Sequence, residues 1–263
     1  MTFAFENDLL HPEFAISASG SLQVWPKVAG QNVQVTSASL EVLKPDGSTS
    51  VESGTITPAT VALGNRAVSR LDVTIAGIAQ PDEDYQASVS WVYGGKTYTD
   101  TVLFDVCFRP LGSTVALSDL LEVKPDVGDD LERLAMLLGY PSGQEGLEAA
   151  ARVYGARGRL TLQMRLRARS REDDQIRPHM LIDTRGPLAL VERYFTLVAI
   201  YEALGGTTEE LDERNESRAL RQAISGADAT WGAMRVTYTA HDATDMAPIG
   251  QTHFGGAFYM ERG

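Results

Sequence analysis

Cysteine is nearly missing from this sequence: Cys107 is the only one in 263 residues. No intramolecular disulfide can form, and a reducing compartment is the expected setting. Histidine is almost as sparse. His11, His179, His241 and His253 are scattered, and none has a partner at metal-ligand spacing, so neither a metal nor another cofactor is expected. His241-Asp242 with Asp245 comes nearest, and a solvated strand end explains it better. Lysine stops early: Lys27, Lys44, Lys96 and Lys124 are all of it, and every later basic residue other than histidine is arginine. No apolar run is long enough for a membrane span. The opening Met-Thr-Phe-Ala-Phe-Glu-Asn-Asp-Leu-Leu has acids but no basic residue, which is not a secretory pattern, so the chain is expected to be cytosolic when made. Positive charge is short overall. A net charge of −12 argues against a general nucleic-acid-binding surface, although a local patch can still contact DNA.

What is present reads as a folded globular chain. Apolar residues make up 43% and charged residues 22%, in amounts ordinary for a chain that holds one large domain or two smaller ones. The most apolar stretch is Pro187–Leu204, interrupted only by Glu192, Arg193, Thr196 and Glu202. Pro187 suits the first turn of a helix and Gly205 a left-handed stop. A helix greasy on nearly every face must be covered by protein on most sides, so it is expected to be the centre of a helical layer.

The two halves of the chain differ in period. Ala38, Leu40 and Val42 alternate with polar residues up to the turn Lys44-Pro-Asp-Gly47, and Leu71, Val73 and Ile75 alternate up to Gly77. Tyr85, Ala87, Val89, Trp91 and Tyr93 form one strand face, Gly94-Gly95 a hairpin turn, and Tyr98, Val102, Phe104 and Val106 the return strand. Short strands with Gly/Pro turns point to an immunoglobulin-like β-sandwich. Beyond Arg109-Pro-Leu-Gly-Ser113 the spacing turns helical. Asp129-Asp130 is expected to cap a helix with Leu131, Leu134, Ala135 and Leu138 on one face. A long helix is expected over Gln144–Arg171, weakened by Gly155 and Gly158, with a possible break at Leu160–Leu166. Thr207 with Glu210 suggests a capping box for a last helix carrying Leu211, Leu220, Ile224 and Trp231 inward. Met234–His241 alternates again. The expected fold class is α+β: residues 1–36 an N-terminal arm or first strands, 37–112 the β-sandwich, 113–241 the helical domain and 242–263 an extended tail. Ile249, Phe254, Phe258 and Tyr259 are that tail's candidate anchors.

No residue set points to catalysis. Asp129-Asp130 and Asp173-Asp174 read as helix-end and loop acids. Cys107 lacks an activating neighbour in sequence, and Gly64-Asn65, Gly94-Gly95 and Gly255-Gly256 lack the helix and lysine of a phosphate cradle. One charge feature reverses the overall sign. Arg152, Arg157, Arg159, Arg165, Arg167, Arg169 and Arg171 fall within twenty residues that contain no acid. Three readings stand beside each other: a solvated helix face, pairing with Glu209, Glu210, Asp212, Glu213 and Glu216 of the same or a neighbouring subunit, and contact with the DNA backbone. The planar guanidinium fork favours carboxylate pairing, and the acidic complement is in the sequence. A rival class is a β-sandwich binding module for carbohydrate or a host surface, tail-associated, with Trp25, Trp91 and Tyr93 as its platform, although their strand spacing suits core residues better.

Two stretches carry a family likeness. Tyr85–Phe104, with its Gly-Gly turn and following Lys-Thr-Tyr-Thr-Asp-Thr-Val-Leu-Phe-Asp-Val106, resembles the end of the β-domain in phage structural proteins encoded near the portal. The second half is similar to their helical part. There an Arg-rich helix runs into Arg177-Pro-His-Met-Leu-Ile-Asp183, then an apolar helix like Pro187–Leu204, then a helix leading to Trp231-Gly-Ala-Met-Arg-Val-Thr-Tyr238. Such proteins look like the head–tail adaptor, or head-completion, proteins of the neck of tailed phages. The resemblance implies a non-enzymatic homo-oligomeric ring, commonly twelvefold. Its partners would be the portal protein, tail or neck proteins, and packaged DNA passing through without sequence-specific binding, with no membrane. Its location would be the host cytoplasm during assembly and then the virion.

Overall fold

The computed structural model describes residues 12–111, 115–172, 177–182, 185–205, 210–239 and 250–253. The chain is a mixed α+β protein that divides into two compact units, with the boundary at Pro110 and Leu111.

In the first unit a five-stranded sheet has the order β1-β10-β9-β5-β6, from Glu13–Ala15, Lys96–Cys107, Asp82–Tyr93, Ala38–Leu43 and Ser50–Ile56. A three-stranded sheet has the order β2-β8-β7, from Gly20–Val24, Arg66–Ile75 and Ala59–Leu63, and β3 (Lys27–Val28) pairs with β4 (Gln31–Asn32). Strand structure therefore starts at Glu13, well ahead of residue 37. The reason is non-local pairing: β1 runs parallel to the end of β10, and β2 runs antiparallel to β8.

The β9–β10 hairpin turns where the sequence places it. Gly94 and Gly95 have φ of 58° and 75°, the pair of left-handed conformations a two-residue hairpin turn requires. Alternation sends Leu71, Val73 and Ile75 of β8 inward with Tyr85, Ala87, Val89 and Trp91 of β9. Residues of both sheets form one core, to which β2, β5, β6 and β10 also contribute. A register shift between Phe104 and Val106 breaks the alternation. It buries Asp105, whose carboxylate accepts a 2.9 Å hydrogen bond from the Asp84 N–H.

The second unit contains α1 (Leu117–Val123), α2 (Val127–Leu137), α3 (Gln144–Glu172), α4 (Arg185–Leu204) and α5 (Glu210–Ala233). A short 3₁₀ turn at Pro178–Met180 and the strand pair β11 (Arg235–Tyr238) and β12 (Gly250–His253) complete it. α4 is the spine: Leu188, Val191 and Phe195 enter one core with Leu162, Leu166, Leu181 and Trp231, and Leu197, Ile200, Tyr201 and Leu204 enter another with Leu131, Leu134 and Tyr154. At about 1.5–3 kcal/mol per large apolar side chain buried, these are the unit's main source of stability.

Several sequence expectations need correction. Asp126, not Asp129-Asp130, occupies the N-cap of α2, and the pair sits in the first turn, where the helix dipole favours acids. Leu138 is exposed rather than inward, because α2 ends beneath it. Gly139 takes φ 76°, the Tyr140 N–H donates to Ala135 and the Gly139 N–H to Met136, which is a Schellman termination. α3 runs unbroken through Leu160–Leu166. Gly205 does not adopt the left-handed conformation; its N–H donates to the Tyr201 carbonyl instead. The expected tail 242–263 contains a strand, since β12 pairs with β11. Its anchors Ile249, Phe254, Phe258 and Tyr259 lie outside the described residues, as does Thr207 of the expected capping box.

Candidate interaction surface on the arginine helix

The seven arginines do not form one surface, because α3 packs along α4 and must turn some of its side chains into it. Arg152 and Arg157 are exposed, the latter with its guanidinium 5.1 Å from the centre of the Tyr154 ring. Arg159 goes inward. Its side chain is 7% exposed and bonds the Glu192 carboxylate of α4, itself 5% exposed, at 2.9 Å. Arg165 lies over the Phe195 ring at 4.6 Å and reaches Asp228 of α5 at 3.4 Å. Arg167 is half-buried. Arg169 and Arg171 belong to α3, but their side chains lie outside the described residues, as do those of Glu209, Glu210, Asp212, Glu213 and Glu216. Two acids that the described arginines meet are Glu192 and Asp228, neither of which the sequence reading named as a partner.

The seam between α3 and α4 is tight because it is built on a glycine. A β-carbon on Gly158 would stand 2.7 Å from the Thr196 backbone nitrogen and 2.9 Å from its Cα. Thr196 is fully buried and donates its hydroxyl to the Glu192 carbonyl at 2.9 Å. The polar residues that interrupt the α4 sequence thus have assignments: Glu192 holds Arg159, Thr196 bonds its own helix, and Glu202 is exposed. Arg193 bonds Asp119 at 2.8 Å and Glu122 at 2.7 Å, tying α4 to α1.

α2 and α4 meet at a carboxyl–phenol pair. Burial pushes the Asp130 carboxyl above the usual carboxylate range, and the Asp126 charge adds to this while the Tyr201 hydroxyl, Lys124 and Arg133 oppose it. Burial also pushes the Tyr201 phenol up, with the charges of Asp130 and Asp126 next in weight. A carboxyl whose folded pKa exceeds its unfolded value holds its proton more tightly in the folded state. Its ionisation therefore removes stability as pH rises above the unfolded pKa of about 4. Asp130→Asn keeps the size of the side chain and removes the charge. The variant is expected to melt higher than the parent at pH 7, with the gap closing as the pH falls toward 4. Equal melting at neutral pH would show that solvent screens the charge.

Elsewhere the candidate groups are embedded. His179 is fully buried in the 3₁₀ turn, and Cys107 is buried at the end of β10. Among the described residues no three histidine, cysteine or acidic side chains gather as a metal site would require. Trp91 is a core residue at 4% exposure, which removes the centre of the imagined Trp25–Trp91–Tyr93 platform. The described helices include none long and apolar enough to cross a membrane.

Past Arg152, which shares its stripe with the exposed Glu148, α3 has an acid-free exposed face bearing Arg157, Met164 and Ala168, with Val153, Leu160, Thr161 and Arg167 half-exposed around them. Large exposed apolar residues also gather at the end of α2, at Met136, Leu137 and Leu138. No protein-family model matches this chain, and no curated protein matches it.

Proposed function

We propose that the protein is a structural component of a phage virion, a head–tail adaptor that assembles as a ring, taken as twelvefold, beneath the portal and passes DNA through its lumen. The observation that carries this reading is how the resembling stretches come together. The arginine helix, the segment around Leu181, the apolar helix and the Trp231–Tyr238 stretch contribute Leu162, Leu166, Leu181, Leu188, Val191, Phe195, Trp231, Met234 and Tyr238 to a single cluster. Backbone pairing adds to it: the Ile182 N–H donates to Thr237 and the Thr239 N–H to Met180, each at 3.0 Å. The helical part of the family likeness thus falls on one folding unit, not on scattered fragments. In the same reading the Pro12–Pro110 unit is an immunoglobulin-like sandwich, supported by two sheets sharing one core. The role is non-catalytic and the partners are the portal, tail or neck proteins and further copies of the chain.

Electron microscopy of the purified protein and of virions whose genome encodes it tests this. Closed rings with an axial channel, and density for the protein at the neck, are expected. A protein located at the tail tip or on the capsid surface, or absent from particles, would overturn the adaptor role.

A further inference from the structure

We propose that the open edge of β10 docks the same strand of a second copy, the two strands pairing antiparallel about Tyr98. The inference concerns the sandwich and does not depend on the adaptor reading. β10 is paired with β9 from Lys96 to the hairpin's far end, but on its other side only Asp105–Cys107 has a partner, the short β1. From Lys96 to Leu103 the outer edge has no strand against it among the described residues. Continuing β1 along that edge would fail at once. The next outward carbonyl, that of Leu103, would need an N–H from Pro12, which has none. An open edge of this length is a template for another strand.

The hairpin decides which backbone groups face outward. In a two-residue hairpin the pair that closes the turn, here Tyr93 and Lys96, exchanges hydrogen bonds. Every second residue after Lys96 therefore bonds β9, and Thr97, Thr99, Thr101 and Leu103 turn their backbone groups away from it. Two observations agree. The Ser90 and Thr99 hydroxyls lie 2.8 Å apart, as side chains of a non-hydrogen-bonded pair do. Asp105, of the same parity, sends its N–H outward to the Pro12 carbonyl at 2.9 Å. The Thr101 N–H is already taken by the Asp100 carboxylate at 3.0 Å, so a ladder that starts at the Lys96 end stops after Thr99.

The charges of this stretch name the occupant. Lys96 and Asp100 are the only ionised side chains from Lys96 to Leu103; both are exposed, and they stand symmetrically about Tyr98. A two-fold axis at Tyr98 sets Lys96 of each copy against Asp100 of the other. It also joins Thr97 to Thr99 of the other copy through their outward backbone groups, and Tyr98 meets Tyr98. Tyr93, 41% exposed and opposite Lys96 on β9, flanks the pair. Lysine on an edge strand ordinarily deters pairing, but in this register it gains a carboxylate directly across, a favourable cross-strand pair. Centring the axis on Asp100 would instead bring two carboxylates together. β1 of the second copy, held on Asp105–Cys107, falls beyond the Gly94-Gly95 turn and does not collide. The contact is isologous, the same patch on both chains.

Full-length protein carrying Tyr98→Cys tests the register. The two introduced thiols would sit on α-carbons about 4.5–5.5 Å apart, within disulfide range, while Cys107 is buried. Oxidation is expected to give a covalent dimer of twice 28.5 kDa. Val102→Cys protein, whose new thiol would lie opposite the turn, is expected to stay monomeric. Hydrogen exchange tests the edge itself. In the parent, the Thr97 and Thr99 amides should exchange roughly tenfold more slowly at millimolar than at micromolar concentration. Thr99→Pro should abolish that dependence with little change in melting, because this N–H makes no bond to β9. Asp100→Pro, which removes a bond to β9, should melt far lower. Lys96→Asp should abolish pairing, and Lys96→Asp with Asp100→Lys should restore it. Equal cross-linking through positions 98 and 102 would overturn the contact, as would parental exchange behaviour in Thr99→Pro protein or a charge swap that restores nothing. Edge amides protected equally at every concentration would overturn it too, giving the edge to a segment of the same chain. Failure of the adaptor reading shows separately, as absence of the protein from the neck.

Discussion

Arg159→Met is expected to destabilise the helical unit by about 3–5 kcal/mol, a fall on the order of 10 °C or more in its melting temperature. The cause is the group left behind. The Glu192 carboxylate is 5% exposed and would lose its 2.9 Å contact with Arg159. An ionised carboxylate inside the unit deprived of that guanidinium costs several kcal/mol, whereas the pair itself is worth little net against an apolar replacement. The double variant Arg159→Met with Glu192→Met should therefore recover most of the loss, since neither charge remains and the two thioether chains fill similar volume. Glu192→Met alone should be as damaging as Arg159→Met. Urea unfolding of the four proteins gives the coupling energy directly. Single variants within about 1 kcal/mol of the parent would mean that water reaches the pair, and an additive double variant would mean that the two side chains act separately.

The same pair marks where sequence reasoning stops. Period-two alternation identified β5, β8 and β9, and the Gly94-Gly95 turn identified the β9–β10 hairpin, because these signals depend only on neighbours in sequence. α4 was legible for a similar reason: a stretch apolar all round has to be buried wherever it sits. β1 and β2 were not, since a three-residue strand parallel to β10 and a five-residue strand against β8 are made by partners far along the chain. The arginine run failed in another way. Spacing shows that seven guanidinium groups cannot share one face, but only the crossing partner decides that Arg159 and Arg165 face inward while Arg152 and Arg157 stay out. A signal was present all the same. Glu192 stands in an otherwise greasy helix, and a buried acid requires a cation; an arginine with glycine and leucine on either side, as Arg159 is, is the natural candidate.

The assignment of Arg165 also bears on how the interaction surface should be probed. Reversing Arg165 would place a carboxylate over the Phe195 ring and beside Asp228, so failed assembly in that variant would report misfolding. Arg157 and Met164 are exposed, and their replacement leaves α4 and α5 untouched. α3 thus has an inward ionic side, at Arg159 and Arg165, and an outward side, at Arg157 and Met164, and only the outward side can be varied without disturbing the core.

Gly158→Ala is expected to destabilise the helical unit by about 1–3 kcal/mol, although the helix itself would gain about 1 kcal/mol from alanine. Two effects of opposite sign compete, and the distances decide between them. The new β-carbon would lie 2.7 Å from the Thr196 nitrogen and 2.9 Å from its Cα, both backbone atoms of a buried helix that cannot rotate away. α3 and α4 would have to separate, opening voids around Leu162 and Phe195 in a core packed to crystal-like density. Shortening the opposing side chain removes the closest contact, with the Thr196 Oγ1, but leaves both backbone contacts, so Thr196→Ala added to Gly158→Ala should restore stability only in part. Gly128 supplies the control. It is inside α2, and nothing stands within 4 Å of the β-carbon it lacks, so Gly128→Ala is expected to stabilise by about 0.4–1 kcal/mol. The same substitution in two helices of one unit should thus move the melting temperature in opposite directions. A Gly158→Ala protein that melts at or above the parent would show that α4 yields, and that the close seam which buries Arg159 against Glu192 is not held in place by the glycine.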